Sequence, residues 1–282
     1  SVKMIRACHR LILTGTPIEN SLEELWSLFD FLMPGLLSSY DRFVGKYIRI
    51  GNYMGNKADN VEALRRKVAP FILRRMKEDV LEDLPPVSEI LYHCHLTESQ
   101  RELYQSYAAS ARQGLTRLVK QEGFERIHIH VLATLTRLKQ ICCHPAIFAK
   151  DTPEPGDSAK DDMLMDLLGS LVDSGHKTVV FSQYTKMLGI IKQDLEAKGV
   201  PFVYLDGSTK NRLEIVQQFN EDPSLLVFLV SLKAGGTGLN LVGADTVIHY
   251  DMWWNPAVEN QATDRVHRIG QSRSVSSYKL VT

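Results

Sequence analysis

The sequence has no excess of charge of either sign, because 33 lysine and arginine residues are matched by 33 aspartate and glutamate residues among 282. Balanced charge argues against an indiscriminate polyanion binder. It does not exclude a local basic groove, since nucleic-acid affinity depends on where the charges lie.

Long hydrophobic runs are also missing. The longest, residues 225–232, includes a serine and is far shorter than the roughly 20 residues that span a bilayer. With no signal-peptide pattern either, we expect no membrane contact.

Cysteine is scarce, and two of the four cysteines are adjacent in the chain. Adjacent cysteines are a poor start for a disulfide framework, so we expect a reducing intracellular location, either the cytoplasm of a bacterium or archaeon or the nucleus of a eukaryote. Two His/Cys triplets, residues 93–95 and 142–144, have the composition of a metal site. Neighbouring side chains diverge on strands and helices, so three ligands from each triplet would not easily converge. We therefore expect no metal site.

The first half of the sequence is predicted to be mainly helical. Ser21 and Thr97 each precede a Glu or Gln by three residues, the spacing of a capping box that opens a helix. A further helix is expected at residues 126–141. Residues 10–13 form a short apolar run that ends in Thr-Gly-Thr-Pro, which is typical of a strand entering a tight turn.

The pattern changes after residues 151–160, a segment with two prolines, a glycine and little to bury. Such a segment predicts an exposed connection between domains. Beyond it, β-rich runs alternate with helical stretches, which implies an α/β fold with a parallel sheet covered on both faces. The runs are residues 178–181, 202–205, 225–230, 246–250 and 276–281, and helices are expected at residues 186–198 and 211–220.

Polar segments follow three of these runs, where ligands of parallel sheets usually bind. Ser182 and Gln183 follow the first run, residues 206–209 the second, and residues 231–240 the third. The last segment has three glycines in four positions, which would let backbone amides approach a phosphate. A glycine-rich loop is nevertheless a weak signal by itself and is usually a structural turn.

Arg265 and Arg268 lie three residues apart in QATDRVHRIGQ, on an expected helical turn that Gly270 ends. Both guanidiniums should therefore leave one face. A planar, permanently charged guanidinium suits phosphate oxygens, and a pair suits the γ-phosphate of a nucleotide during transfer. Taken alone, the pair is more simply a solvated basic face.

Aromatic and basic residues elsewhere leave alternatives open. Trp253 and Trp254 could stack on unpaired bases, although Trp253 is more simply a core residue. Basic clusters at residues 65–67 and 74–77 are by default solvated faces.

Four blocks stand in order along the chain: LTGTPIENSLEELWSLFDFLMPG, FSQY, LVSLKAGGTGLNL and HYDMWWNPAVENQATDRVHRIGQ. Together they closely resemble the Swi/Snf-like ATPases of helicase superfamily two, which use ATP to pull double-stranded DNA past themselves or past bound proteins. FILRRMKEDVLEDLP and LTRLKQICCHP resemble that family's linker and helical insertions, so the resemblance covers nearly the whole chain. It implies a RecA-like parallel-sheet lobe preceded by an α-helical region.

The resemblance also implies a division of the chain. Residues 1–20 would end a first RecA-like lobe with the family's motif III, and residues 161–282 would form the second RecA-like lobe, the helicase C-terminal domain. Residues 21–85 would be a helical protrusion and linker, residues 86–150 a second helical protrusion, and residues 151–160 the connection. In the family, the region of Arg74 and Arg75 lies on that linker, where it would either approach DNA or dock between the lobes.

Residue roles follow from the same resemblance. In such enzymes ATP binds with Mg²⁺ between two lobes, and the last block supplies arginine fingers, here Arg265 and Arg268. The nucleotide would also contact Gly238, Asn240 and Gln261. The DNA backbone would contact Ser182, Gln183, Gly207, Ser208, Lys233, Gly235, Gly236 and Thr237. The residues that would couple the nucleotide site to DNA movement are Thr14, Gly15, Thr16 and Trp254. Thr-Gly-Thr-Pro can equally be a plain turn, and Asn240 a loop cap.

The family's phosphate loop, GxxxxGK[ST], and its DEAH-type acidic box do not occur in this sequence. Family members carry both on the first lobe, where they hold ATP and Mg²⁺. We therefore expect the C-terminal part of an ATP-dependent double-stranded DNA translocase or remodeller, an ATPase at full length but inactive as this fragment. The alternatives are a non-catalytic DNA- or partner-binding scaffold and an RNA or single-strand helicase. No oligomer signal stands out, and the target, such as a nucleosome or a polymerase, does not follow from the sequence.

Overall fold

The computed structural model describes residues 4, 6–15, 17–18, 21–49, 57–75, 84–122, 127–149, 156–235 and 238–282. The chain separates into two compact units, Ser1–Asp83 and Leu84–Thr282. Three of the predicted site residues, Thr16, Gly236 and Thr237, lie outside the described residues.

The first unit is helical around a small core. Its elements are α1 (Leu22–Leu32), α2 (Tyr40–Phe43), a π-helical turn (Val44–Ile48), α3 (Lys57–Val68) and a 3₁₀ turn (Ala69–Phe71). Leu25 and Phe29 lie one turn apart on α1 and are buried, because an apolar stripe with this spacing faces one side of a helix. They pack with buried side chains from the other elements, among them Phe43, Leu64 and Val68.

Two expectations for this unit differ from the structure. Ser21 occupies the N-cap position of α1, but its side chain makes no capping hydrogen bond. Residues 10–13 are irregular rather than a strand, and Leu11 and Leu13 are 79% and 89% exposed. A strand needs a neighbour to satisfy its backbone groups, and no described segment of this unit pairs with this run.

The second unit is built on six parallel strands in the order β1-β6-β5-β2-β4-β3. The strands are β1 (Val87–His93), β2 (Thr178–Ser182), β3 (Phe202–Leu205), β4 (Val227–Ser231), β5 (Thr246–His249) and β6 (Val275–Val281). Strands β2 to β6 were all expected, with bounds close to the observed ones. The predicted α/β fold with a parallel sheet is confirmed.

Helices cover both faces of this sheet. They are α4 (Glu98–Glu122), α5 (His128–Cys143), α6 (Pro145–Ala149), α7 (Ala159–Asp173), α8 (Thr185–Ala197), α9 (Arg212–Glu221), α10 (Leu232–Gly235) and α11 (Pro256–Thr263). Val180 of β2 is fully buried in a core that contains side chains of α5 to α8. Its neighbour Val179 is fully buried in the core on the opposite face, with side chains of α9 to α11. Burial on both faces explains the unbroken apolar runs of the central strands.

Strand β1 was not expected, since residues 86–150 were predicted as a helical protrusion. It pairs with β6 over its full length, from Val87 opposite Val275 to His93 opposite Val281. Most of its side chains are exposed, and Ser88 and Glu89 interrupt its apolar residues, so the segment is not a continuous apolar run like the central strands. Only pairing with a segment almost two hundred residues away makes it a strand.

The capping box at Thr97 is confirmed. Thr97 N–H donates to Gln100 Oε1 at 3.2 Å, and Gln100 N–H donates to Thr97 Oγ1 at 3.2 Å. Gln100 Oε1 also accepts from Ala159 N–H at 3.3 Å. Residues 156–160 are thereby held against α4, and Ser158 and Lys160 are 1% and 5% exposed. This part of the predicted exposed connection is therefore packed into the second unit.

Candidate functional site

The loops after β2, β4 and β3 lie side by side, because these strands are neighbours in the sheet and parallel. Carboxyl ends of parallel strands share one edge, so the sheet brings three of the predicted polar segments together. Gln183 is half-buried, whereas Gly207, Ser208 and Lys233 are exposed. The exposed members of this edge could contact a long anionic ligand.

Ser182 has a different environment from the one predicted. It is 1% exposed, and its hydroxyl donates to Asp251 Oδ2. Gln183 N–H donates to Asp251 Oδ1 at 3.1 Å, and Tyr184 N–H donates to Ser182 Oγ at 3.1 Å. Direct contact of Ser182 with DNA would require this network to open. The side chain instead ties the loop after β2 to the end of β5.

Asp251 was missed as a site residue, although its place directly after β5 could have suggested a role at this edge. Burial raises the pKa of its carboxyl, and hydrogen bonds from Ser182 and Gln183 oppose that rise. Lys139 on α5 donates to Met252 O at 2.6 Å. Burial lowers the pKa of Lys139, and the charge of Asp251 opposes this shift. Asp251 and Lys139 thus join the helical region to the edge of the sheet.

The turn after β3 is ordered by a carboxylate. Asp206 Oδ1 accepts from Ser208 N–H at 2.8 Å and from Ser208 Oγ at 2.6 Å, and Asp206 N–H donates to Thr209 Oγ1 at 3.0 Å. The Ser208 hydroxyl bond is the main cause that lowers the pKa of Asp206. Gly207 and Ser208 remain exposed at the tip, so the turn presents a fixed backbone to solvent.

The glycine-rich block follows β4 as the short helix α10, and Lys233 on this helix is exposed. Gly235 is buried, and a Cβ there would lie 2.7 Å from Cε1 of Phe181. Packing against Phe181 of β2 therefore requires glycine at position 235. The sequence had predicted a different reason, the close approach of a phosphate to the backbone. Gly238 is exposed and has φ +66°, a left-handed conformation that favours glycine.

Arg265 and Arg268 lie just beyond α11, which ends at Thr263, so they occupy consecutive turns rather than a regular helix. Both are half-buried. Burial and then the like charge of Arg268 lower the pKa of the Arg265 guanidinium, which places the two cations within electrostatic reach of each other. Arg268 Nη1 donates to Leu239 O at 3.3 Å. Leu241 N–H donates to Arg265 O at 2.9 Å, so both residues of the predicted pair are bonded to the segment that follows the glycine-rich block.

The other predicted nucleotide and coupling residues lie around these two segments. Asn240 is exposed, and its carbonyl accepts from Asn220 Nδ2 at 2.9 Å. Gln261 is half-buried on α11. Trp254 is 55% exposed, and Lys139 Nζ lies 4.5 Å from its ring centroid, a cation–π distance. Trp253 packs against a core cluster, as predicted.

Thr14 and Gly15 belong to the first unit, where both are exposed. The basic residues Arg65 and Arg66 of the same unit are also exposed, 3.9 Å and 3.6 Å from Glu62. Exposed ion pairs of this kind contribute little to stability. For Thr14 and Gly15 the structure shows exposure to solvent, and their coupling roles stay predictions.

The described residues show neither a metal-binding cluster nor a membrane-spanning helix. They contain no group of three His, Cys, Asp or Glu side chains placed to hold a metal ion. Cys94 lies 3.2 Å from Met163 Sδ, and His144 Nδ1 accepts from Ala146 N–H at 3.1 Å, so both triplets take part in packing. No helix in the described part of the chain is long and apolar enough to cross a membrane.

Comparison with known families agrees with this arrangement. Residues 1–147 match the SNF2-related domain, and residues 159–270 match the helicase conserved C-terminal domain. The chain belongs to the SNF2-related family. The structure resembles the Sulfolobus solfataricus SWI2/SNF2 ATPase core in complex with dsDNA, with a TM-score of 0.59 and 37% identity over 99% of this chain and 59% of that one. The RecA-like assignment of the parallel sheet is confirmed.

Curated relatives of this SNF2-related chain are longer proteins. The putative ATP-dependent helicase/translocase YwqA of Bacillus subtilis is 39% identical over 292 residues, which cover 100% of this chain and 31% of YwqA. The human TATA-binding protein-associated factor 172 is 38% identical over 338 aligned positions, which cover 100% of this chain and 18% of that factor. The chain thus spans less than a third of either relative.

Proposed function

We propose that this chain is the C-terminal part of an ATP-dependent double-stranded DNA translocase. It would supply arginine fingers to a nucleotide held mainly by another lobe, and half of the groove that binds DNA. The main support is the pairing of Arg265 and Arg268 beside the segment that follows the glycine-rich block. The pairing supports the proposal because two neighbouring guanidiniums suit the oxygens of a phosphate.

The arginine pair has an electrostatic reason to bind a polyphosphate. Two guanidiniums that are half-buried and repel each other are stabilised when an anion lies between them. An arginine finger typically accelerates phosphoryl transfer by about 10³- to 10⁵-fold, because it offsets charge that develops in the transition state. We assign this role to both residues, with Gly238, Asn240 and Gln261 as the neighbouring nucleotide contacts.

ATP would bring Mg²⁺ with it in the full-length protein. The described residues offer no acidic cluster for the ion, and the sequence contains neither a phosphate loop nor a DEAH-type box. Mg²⁺ would therefore be held by residues outside this chain, where it would neutralise phosphate charge. By the same reasoning, we propose that this chain alone does not hydrolyse ATP.

The loops at the carboxyl edge of the sheet are the proposed DNA contacts. Lys233 supplies an exposed positive charge, and Gly207 and Ser208 supply exposed backbone and hydroxyl groups. Such groups bind phosphates without reading sequence. A duplex is favoured as the ligand because the similar Sulfolobus core was solved with dsDNA. Gln183, Gly236 and Thr237 complete the proposed backbone contacts, whereas Gly235 is omitted because it is buried against Phe181. Thr14, Gly15, Thr16 and Trp254 are proposed to couple ATP to DNA movement.

A DNA-bound protein is the proposed target of translocation. One relative is named as a TATA-binding protein-associated factor, and another as a putative helicase/translocase. These names support the proposal that the protein moves along DNA and displaces or shifts proteins bound to it. If the first relative is the better guide, the protein acts in a nucleus; if the second, it acts in a bacterial cytoplasm.

The test is the full-length protein with Arg268→Ala. We expect ATP hydrolysis that duplex DNA stimulates strongly in the wild type and that falls by about 10³-fold or more in the variant, with duplex binding nearly unchanged. Arg117→Ala, which removes an exposed arginine from α4, is the control and should hydrolyse ATP at the wild-type rate. The assay compares duplex DNA, single-stranded DNA and RNA as stimulants.

Each rival function predicts a different outcome. A non-catalytic scaffold would bind DNA but show no turnover with any polymer. A single-strand or RNA helicase would be stimulated by those polymers more than by duplex DNA. Full turnover in Arg268→Ala would show that this residue is not a finger.

A further inference from the structure

Gln271 is a buried amide that joins two chain segments. Only 7% of its surface is exposed, and its Nε2 donates to the carbonyl oxygens of Ala244 at 2.6 Å, Val242 at 3.3 Å and Val266 at 3.3 Å. Two acceptors belong to residues 239–244, named here the amide-bound loop. The third belongs to residues 264–271, named here the arginine segment. One side chain therefore holds the segment against the loop.

The amide-bound loop is also bonded to both arginines. Leu241 N–H donates to Arg265 O at 2.9 Å, and Arg268 Nη1 donates to Leu239 O at 3.3 Å. The backbone N–H of Gln271 donates to Arg268 O at 2.9 Å. The positions of both guanidiniums relative to the amide-bound loop therefore depend on these hydrogen bonds between the loop and the arginine segment. Gln271 supplies the hydrogen bonds at the carboxyl-terminal end of the arginine segment.

On its other side the amide-bound loop is fixed to α9. Asn220 Nδ2 donates to Asn240 O at 2.9 Å, and Gly243 N–H donates to Asn220 Oδ1 at 3.0 Å. A Cβ at Gly243 would lie 2.8 Å from Cα of Asn220, so only glycine allows this approach. The loop follows the glycine-rich block directly and is a rigid frame, because both of its sides are bonded to neighbouring elements.

We propose that Gln271 is a positioning residue for Arg265 and Arg268. Its amide keeps the arginine segment on the amide-bound loop, so that both guanidiniums stay in register with the glycine-rich block when DNA binds there. Gln271 itself would not contact the nucleotide. This inference rests on the proposed function, since the arginines need precise placement only if they act on a phosphate.

The experiment replaces Gln271 by methionine in the full-length protein, which keeps the side-chain length and removes the hydrogen bonds. Gln100→Met is the matched control, because Gln100 is 1% exposed, donates to Ile141 O at 3.0 Å and lies in the cap of α4. Both variants should lose thermal stability. At a temperature where both remain folded, we expect only Gln271→Met to lower kcat, by about tenfold to a hundredfold, with KM for ATP and duplex affinity changed less than about twofold.

A pH profile of Gln271→Glu separates positioning from general damage. One oxygen of a glutamate here would keep the hydrogen bond from Arg273 N–H that Gln271 Oε1 accepts at 2.9 Å. The other oxygen would face the three carbonyl oxygens, which disfavours the carboxylate, whereas a protonated carboxyl can donate to one of them. The kcat of this variant relative to wild type should therefore rise as the pH falls. A flat ratio, or equal kcat losses in Gln271→Met and Gln100→Met, would overturn the proposal.

Hydrogen exchange gives a readout that does not depend on turnover. In Gln271→Met the amide-bound loop and the arginine segment should exchange faster together, while Gln100→Met should leave both unchanged. If the wild type shows no DNA-stimulated hydrolysis, the proposed function fails; faster exchange would then still support the link between segments. Unchanged exchange in Gln271→Met would refute that link even in an active enzyme.

Discussion

Asp161 should make the stability of the second unit fall as the pH rises above neutrality. The residue lies in the first turn of α7 and is 9% exposed. Burial, and then the charge of Asp194 and a hydrogen bond with it, raise the pKa of the Asp161 carboxyl to about 8 from 3.8. The folded state therefore keeps a proton that the unfolded chain releases. The contribution of Asp161 to stability is fully present below the pKa that this carboxyl has in the unfolded chain. It is lost as the pH rises through the pKa that the carboxyl has in the folded protein.

The size of the effect follows from one retained proton. Such a group changes the free energy of unfolding by about 1.4 kcal/mol per pH unit between its two pKa values. From pH 6.5 to pH 8, with the slope weakening near the folded pKa, the loss is about 2 kcal/mol. His249, whose pKa burial lowers to about 4 from 6.5, destabilises the folded state only as the pH falls below 6.5. The window above that value therefore excludes the contribution of His249, and the comparison with Asp161→Asn separates Asp161 from other buried carboxyls such as Asp251, whose pKa burial also raises.

Urea unfolding at several pH values in this window is the assay. Asp161→Asn keeps the shape and cannot ionise, so it should reduce the pH slope and be more stable than wild type at pH 8. Asp162→Asn removes an exposed neighbouring charge and should keep most of the slope. Identical slopes for Asp161→Asn and wild type would show that Asp161 is ionised in the folded protein and would refute the reasoning.

Two further predictions concern the glycine-rich block and the loop that follows it. Gly243→Ala should lower the free energy of unfolding by about 1–3 kcal/mol, because the new Cβ would meet backbone atoms of Asn220. Gly189→Ala is the control, since Gly189 lies inside α8 and a Cβ there would have nothing within 4 Å. In the same urea assay this control should be neutral or stabilising by up to about 1 kcal/mol. Lys233→Glu should weaken duplex binding and reduce the slope of log affinity against log salt concentration by about one phosphate contact. Lys192→Glu on α8 is the control and should change neither quantity. Equal slopes for Lys233→Glu and wild type would show that Lys233 does not contact DNA.

Local sequence patterns were sufficient to predict five of the six strands of the parallel sheet. Strands β2, β4 and β5 are buried on both faces, so their apolar runs are continuous and easily recognised. The cap at Thr97 was predicted for a similar reason, because both partners of that box lie within four residues of each other. The polar segments after the strands could be placed at one edge because parallel strands end on the same side.

Other features depended on partners far away in the sequence. Strand β1 is a strand because β6 pairs with it, and its short apolar run is interrupted by Ser88 and Glu89. Ser182 was predicted to face DNA, but its hydroxyl donates to Asp251, which lies 69 positions further along the chain. Ser158 and Lys160 were predicted to be exposed, and packing against α4, α5 and β6 buries them.

The sequence by itself determined the family and the order of five of the six strands along the chain, and it singled out Arg265 and Arg268 as a predicted pair. These follow from residue types and short spacings, which local geometry and motif resemblance can interpret. The tertiary structure decided which backbone the arginines lie against, why Gly235 and Gly243 must be glycine, and where Asn220 and Gln271 direct their amides. Those depend on close approach between distant segments, since a hydrogen bond or a steric clash exists only once the chain has brought both atoms together.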